Sequence, residues 1–220
     1  MNDQSPSRSG GRAARRAARA APLADHLKPI RPGMSGGTFN PLNDGDVLRI
    51  HTAALDALET IGLADAPTSG INYLTSVGAI LGDDGRIRFP RGLVEDTIAK
   101  ANRSITLHAR NPSQDLDLSG SKVHYGTAGA AVHLVEANGR EYRESGVQDL
   151  HDAARICDVL DNLHFVQRPM VCRDIMDNCE MDYNSIYACV SGTTKHVGTS
   201  FSEPHHVAPA MEMLHLIAGS

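Results

Sequence analysis

Tryptophan is absent from this 220-residue sequence, and aromatic residues make up only 4% of it, so a cage of aromatic faces would have few residues to draw on. There is no GxGxxG, no P-loop, no GxSxG and no HExxH. Nucleotide-binding, α/β-hydrolase and zincin readings therefore lose their usual support. No apolar run approaches the roughly 20 residues of a membrane span, so no membrane partner is expected. The four cysteines, Cys157, Cys172, Cys179 and Cys189, form no CxxC pair. Their spacing matches no zinc-ligand pattern, and a reduced, cytoplasmic protein is expected.

Charge is present but unevenly spread. The chain carries a net −5. Residues 1–34 hold seven basic and two acidic side chains, a net +5, which leaves −10 on the remainder. An acidic body argues against nucleic acid as a partner. The segment MNDQSPSRSGGRAARRAARAA lacks apolar periodicity and is expected to be a disordered basic tail over residues 1–34. Were it helical, Arg12, Arg15, Arg16 and Arg19 would share one face suited to RNA or an anionic surface. An organelle presequence is disfavoured because the large apolar residues of an amphipathic face are missing.

From Pro41 the pattern is globular. Asn43 or Asp44 is placed to cap a helix through Ile61, with Val47, Ile50, Ala54, Ala57, Leu58 and Ile61 turned inward and Gly62 ending it. A second helix is expected over Ser69–Val77. An Asp84-Gly85 hairpin then joins Ala79–Leu81 to Arg86–Phe89, and a helix comes after Pro90 over Gly92–Ala101. Ser104–Ala109 and Leu116–Leu118 read as short strands. Residues 35–120 thus read as an α+β N-terminal cap.

The stretch from Ser121 to Asp161 organises the C-terminal half of the chain. It opens on an alternating strand, Val123–Thr127. A hairpin comes next, Ala131–Val135 returning at Glu141–Arg143, turned by Asn138-Gly139. A helix starts near Val147, capped by Ser145 or Gly146, with Val147, Leu150, Ala154, Cys157 and Leu160 on its apolar stripe. Asn162–Val171 is a buried strand. Asn178–Val190 is a helix with Met181, Ser185, Ile186 and Cys189 inward. Lys195–Phe201 is a third strand and Val207–Ala218 a third helix. Strands alternating with helices over residues 121–220 predict an α/β parallel sheet. Thr127, Gln167-Arg168 and Thr199-Ser200 fall at the strands' C-terminal ends, the face where a (β/α)8 barrel builds its chemistry.

The blocks SKVHYGTAG, NGREYRESGVQDLHDAARICDVLDNLHFVQRPMV and TTKHVGTSF, with DGDVLRIHTAALDALETIGL and SVGAILGDDGRIRFPRGLVEDTIAKA nearer the N-terminus, resemble the trimethylamine methyltransferase (MttB-type) family over about Pro41–Ala218. The resemblance implies a TIM-barrel enzyme of one-carbon metabolism, in a family tied to methanogenesis. It would pass a methyl group from a tertiary or quaternary amine, of trimethylamine or glycine betaine type, to the cobalt of a cognate corrinoid protein. No cofactor would be bound directly. The cobalt would attack the methyl carbon in line, so the protein supplies positioning and electrostatics. A quaternary amine leaves neutral, whereas a tertiary amine needs a proton. Family members run to more than twice this length, and a closed barrel needs about 250 residues. The expectation is therefore a barrel truncated after about three βα units, incomplete as it stands. The alternative is a non-catalytic, degenerate fragment that acts by associating with another chain through its open edge, and a homo-oligomer stays open.

No catalytic residue is assigned, because the family's pyrrolysine lies in the later half of the barrel. Candidate substrate-binding residues are Tyr125, Gln167, Arg168, Lys195, His196, Thr199 and Phe201. Each has a plainer alternative: packing or rim residues in general, a solvated strand end for Lys195 and a hydrogen-bonded core group for His196. Eleven histidines invite a metal reading. Its best cluster, Glu203, His205 and His206, reads equally as a simple loop before the last helix, and no metal site is assigned.

Overall fold

A computed structural model describes residues 11, 12, 16, 21 and 27–219. Of the tail arginines, Arg12 and Arg16 are exposed, while Arg15 and Arg19 lie outside the described residues, as does most of the tail expectation. Contacts divide the chain into two units, one of residues 35–106 and 117–122, the other of residues 1–34, 107–116 and 123–220.

In the smaller unit Asn43 begins α1, Asp44–Thr60, its side chain accepting the Asp46 N–H at 2.9 Å. Gly62 ends it at φ 69°, where a Cβ would sit 2.2 Å from the Ile87 carbonyl oxygen, so only glycine fits. Helix α2 covers Thr68–Ser76. Strands β1, Ile80–Leu81, and β2, Ile87–Arg88, form an antiparallel hairpin. Helix α3 covers Arg91–Lys100 behind Pro90. The buried apolar centre is Leu55, Ala79 and Ile87. Here one expectation is overturned. Val47, Ile50 and Ile61 are 52, 59 and 56% exposed and Ala54 and Ala57 are exposed too; of the six only Leu58 is half-buried, and α1 turns Leu55 inward instead. Periodicity marks an apolar face but not what covers it.

The larger unit holds the βα repeat. Strands β3, His133–Val135, and β4, Tyr142–Glu144, pair antiparallel around Gly139, whose φ of 69° suits the expected turn. The Arg143 guanidinium grips both Asp149 oxygens at 2.6 Å, tying the hairpin to α4, Val147–Val159. At the N-terminus of α4, Asp149 accepts the Gly146 N–H and Asp174 the Val147 N–H. Strand β5, Phe165–Gln167, precedes α5, Asn178–Gly192, and β6, His196–Gly198, precedes α6, Val207–Ala218. β5 and β6 are parallel, with Phe165 opposite His196 and Gln167 opposite Gly198. Of the expected first strand, Val123 falls in a two-residue strand, Lys122–Val123, and Gly126 makes a parallel bridge to Phe165. Leu150, Cys157, Val166, Cys172, Ala188 and Cys189 form the core between α4, α5 and β5. The architecture is mixed α/β, with no closed barrel among the described residues. No described helix is long and apolar enough to cross a membrane.

Candidate functional site

Side chains alternate along a strand. Val166 packs into the core and Val197 against it, so Phe165, Gln167, His196 and Gly198 face the side of the sheet away from the helices. Gly126 shares that side. A Cβ on it would lie 2.4 Å from the Phe165 ring, and one on Gly198 would lie 2.2 Å from Gln167 Oε1. These two glycines let the Phe165 ring and the Gln167 amide lie flat across their neighbours. Of the seven candidates, the structure therefore brings Gln167 and His196 onto one face. It adds Phe165, which sequence reasoning misses because, within the run NLHFVQRPMV, an apolar Phe165 beside Val166 reads as core.

The C-terminal edge of the strands is held by short polar contacts. The Thr127 hydroxyl donates to the Gln167 carbonyl at 2.6 Å and the Arg168 N–H to the Gly198 carbonyl at 2.9 Å. Arg168 Nη2 donates to Ser200 Oγ at 3.0 Å, while its buried Nη1 has no hydrogen-bond partner among the described residues. Thr199 and Phe201 sit half-buried in the segment that leaves β6, and Tyr125 is 50% exposed beside Gly126.

Lys195 occupies the opposite end. It is 8% exposed, and its ammonium donates to the carbonyls of Cys157, Leu160 and Leu163 at 2.6, 2.9 and 2.6 Å. It closes the C-terminal end of α4, where unpaired carbonyls and the helix dipole favour a cation. Burial holds its pKa below the ordinary lysine value, against the pull of Asp158. Asp158 would be raised by burial, but hydrogen bonds from the Thr194 N–H and the Thr193 and Thr194 hydroxyls hold it low. His196 Nδ1 lies 2.8 Å from the His108 carbonyl. His164 is buried beside these groups. Its Nδ1 accepts the Tyr125 N–H at 3.0 Å, and burial, then His124 and Lys195, lower its pKa.

The histidine cluster lies in the segment between β6 and α6. Pro204–His206 is a single 3-10 turn. His206 is buried with Nδ1 2.7 Å from Asp182 Oδ2, and Asp182 also accepts the Ser202 N–H at 2.7 Å and its hydroxyl at 3.2 Å. Asp182 thus anchors the segment between β6 and α6, while Glu203 and His205 stay exposed. Asp182 sits beside the inward stripe of α5, and nothing in the local sequence singles it out. No group of three or more His, Cys, Asp or Glu side chains could hold a metal among the described residues. The thiols are unpaired, and burial pushes Cys189 up to about 12.

Fold and edge together define an α/β protein with parallel βα units and a polar C-terminal rim. The family model for trimethylamine methyltransferase (MTTB) matches residues 8–220, and the chain belongs to that family. It is 28% identical over 178 residues to trimethylamine methyltransferase MttB of Desulfitobacterium hafniense, covering 80% of this chain and 36% of that protein. The similarity to trimethylamine methyltransferase MttB of Methanosarcina thermophila is 21% over 183 residues, again 36% of the relative. Glycine betaine methyltransferase of Desulfitobacterium hafniense matches at 25% over 152 residues, 67% of this chain and 31% of the relative. The chain thus spans about a third of the length of the curated relatives it matches.

Proposed function

We propose that the chain is the N-terminal part of an amine methyltransferase, a (β/α)8 barrel represented here by about three βα units. A methylated amine of trimethylamine or glycine betaine type gives its methyl group to the cobalt of a corrinoid protein, a co-substrate carried by a partner. The reading rests chiefly on the family match over residues 8–220. The cobalt's electron pair forms the new bond to the methyl carbon, and the C–N bond breaks with its pair staying on nitrogen. A quaternary ammonium needs no proton to leave. In this reading the amine lies over the open face of β5 and β6. There the Phe165 ring offers a π surface to the cation and Gln167 and His196 offer polar contacts. Arg168 and Thr199 stand at the rim, with Tyr125 and Phe201 flanking it. Unpaired cysteines agree with a cytoplasmic setting.

The test is stoichiometric methyl transfer from glycine betaine and from trimethylamine to free cobalamin reduced to Co(I). The cobalamin spectrum is followed with this chain alone and with it joined to the remaining length of a relative. Transfer by the joined protein alone is expected. A folded joined protein that transfers from neither amine would favour the second reading, a non-catalytic fragment that associates with another chain. Apolar side chains left exposed, such as Val159 and Leu216, speak for that alternative.

A further inference from the structure

A polar cavity of about 420 Å³ lies at the N-terminal end of the parallel strands, wholly within the larger unit. It is bordered by residues 28–32, the 3-10 turn Pro112–Gln114, the C-terminal end of α4 and the residues that lead into β5 and β6. His164 lines it and is only 5% exposed. Its Nδ1 accepts the Tyr125 N–H, so the ring proton sits on Nε2, a buried donor with no acceptor among the described residues. A buried donor left unpaired is costly and points to an acceptor that the chain itself does not supply. Gln114 spends its Oε1 on the Thr194 hydroxyl at 2.9 Å, which leaves its amide N–H groups as further donors. The acids of the lining are engaged already. One Asp158 oxygen takes the Thr194 N–H and the Thr193 and Thr194 hydroxyls, and Asp161 faces the Lys28 ammonium at 3.4 Å. Lys28, Arg31 and Lys195 outnumber Asp158 and Asp161, so the lining carries one net positive charge. Lys195 also covers the carbonyls that end α4. A ligand there meets an ammonium in place of the negative end of the helix dipole.

We infer that this cavity binds a small monocarboxylate. The inference is independent of the methyltransferase reading. What the lining has to give is donors and one positive charge, and a carboxylate is an acceptor-only group with one negative charge. Its oxygens accept from His164 Nε2 and the Gln114 amide, with Lys28 as the nearby cation. A phosphate dianion fits less well, because its second charge would face Asp158 and Asp161 without a matching cation in the count. A single water does not answer the same need, since its share of volume is roughly 30 Å³ and the cavity is many times larger. Leu116, Leu163 and Pro32 supply an apolar part of the wall, which suits a short hydrocarbon body behind the carboxylate. The polar rim of Arg168, Thr199 and Ser200 belongs to the other end of the same strands, so this ligand and a ligand at the rim do not compete. Binding would fasten residues 28–32 across the strand entrances.

The test is titration calorimetry of the full chain with sodium acetate, propionate and butyrate, at an ionic strength held constant with sodium chloride. Binding at a single site is expected, about fourfold tighter for each added methylene that the apolar wall covers. In protein labelled with nitrogen-15 histidine, the His164 Nε2 resonance, assigned by its loss in His164→Gln, should move with the same saturation curve. Gln114→Glu keeps an acceptor for the Thr194 hydroxyl but sets a negative charge against the ligand. It should weaken butyrate binding by about tenfold or more and leave far-UV circular dichroism unchanged. Lys28→Gln should weaken it too, and carries the test if the glutamate disturbs folding. No carboxylate binding overturns the inference, as does binding that ignores both substitutions or leaves the His164 resonance unmoved. Inorganic phosphate binding more tightly than butyrate overturns the assigned class, and an equal response to chloride alone would mean an adventitious ion only. The site should persist when the chain is joined to the remaining length of a relative. Its loss there would mean that the remainder fills the cavity, and overturns a free ligand.

Discussion

Lys195 and His164 stand together at the N-terminal end of the parallel strands, and burial acts on both in ways that mutation can separate. The Lys195 ammonium has each of its three protons on a carbonyl, two of them at the end of α4 and one at Leu163. Lys195→Met keeps much of the side-chain bulk but leaves those acceptors without a donor in a buried setting. Hydrogen bonds from a charged group are worth about 1.5–3 kcal/mol each, with strong non-additivity. A loss of roughly 2–4 kcal/mol in urea unfolding is expected, against which a solvated strand-end lysine would cost almost nothing. His164 works through protons. Its pKa is lowered from 6.5, burial first and the neighbouring His124 and Lys195 after it. Below pH 6.5 the unfolded chain therefore takes up a proton that the folded chain refuses. Stability must fall as pH drops from 6.5 towards the folded value, and must be fully present above it. His164→Gln retains an acceptor for the Tyr125 N–H but cannot titrate. Melting temperatures measured from about pH 5 to 7 should decline less steeply on the acid side in this variant than in the wild type.

At the scale of the elements, α4 and α5 approach each other through small residues. A Cβ on Gly192 would lie 2.7 Å from the Ala154 Cβ and 2.9 Å from the His151 carbonyl oxygen, whereas one on Gly92, in α3, meets nothing within 4 Å. The same substitution should therefore change sign between the two helices. Gly192→Ala forces the helices apart and should cost about 1–3 kcal/mol. Gly92→Ala gains helix propensity and should stabilise by up to about 1 kcal/mol; urea midpoints measure both. What a sequence can and cannot show divides along a related line. The stripe of α4 is legible because Leu150, Ala154 and Cys157 meet the core that their spacing predicts. The equally periodic stripe of α1 faces outward, since periodicity contains no information about the partner. Helix α6 keeps its predicted bounds, Val207–Ala218. The strands shrink to two or three residues, because their flanks bond to loops and side chains in place of a continuous ladder. Gln167 and His196 are found by their position at strand ends. Asp182 and Phe165 are not, because what gives each its place is a contact remote in sequence: Asp182 with Ser202 and His206, Phe165 with Gly126.

Taken as a whole, the molecule combines well-packed centres with much uncovered apolar surface. Leu150, Val166, Cys172 and Cys189 are sealed, while Tyr73, Val159 and Leu216 are 68, 77 and 80% exposed on three different helices. Large apolar side chains left this exposed mark surfaces that a covering element can bury, in a chain that spans about a third of the length of its relatives. Two explanations of such exposure differ in what they predict. If the packing were loose, the chain would behave as a molten globule, binding a hydrophobic dye and unfolding without cooperativity. The sealed core argues otherwise. The native chain is expected to bind 8-anilinonaphthalene-1-sulfonate strongly at neutral pH, and yet to unfold in urea with coincident transitions by tyrosine fluorescence and far-UV circular dichroism. Dye fluorescence should fall, not rise, as urea passes the midpoint, because the dye reports folded surfaces and not a collapsed intermediate. A dye signal that peaks inside the transition would show that the βα core needs the covering element in order to pack at all.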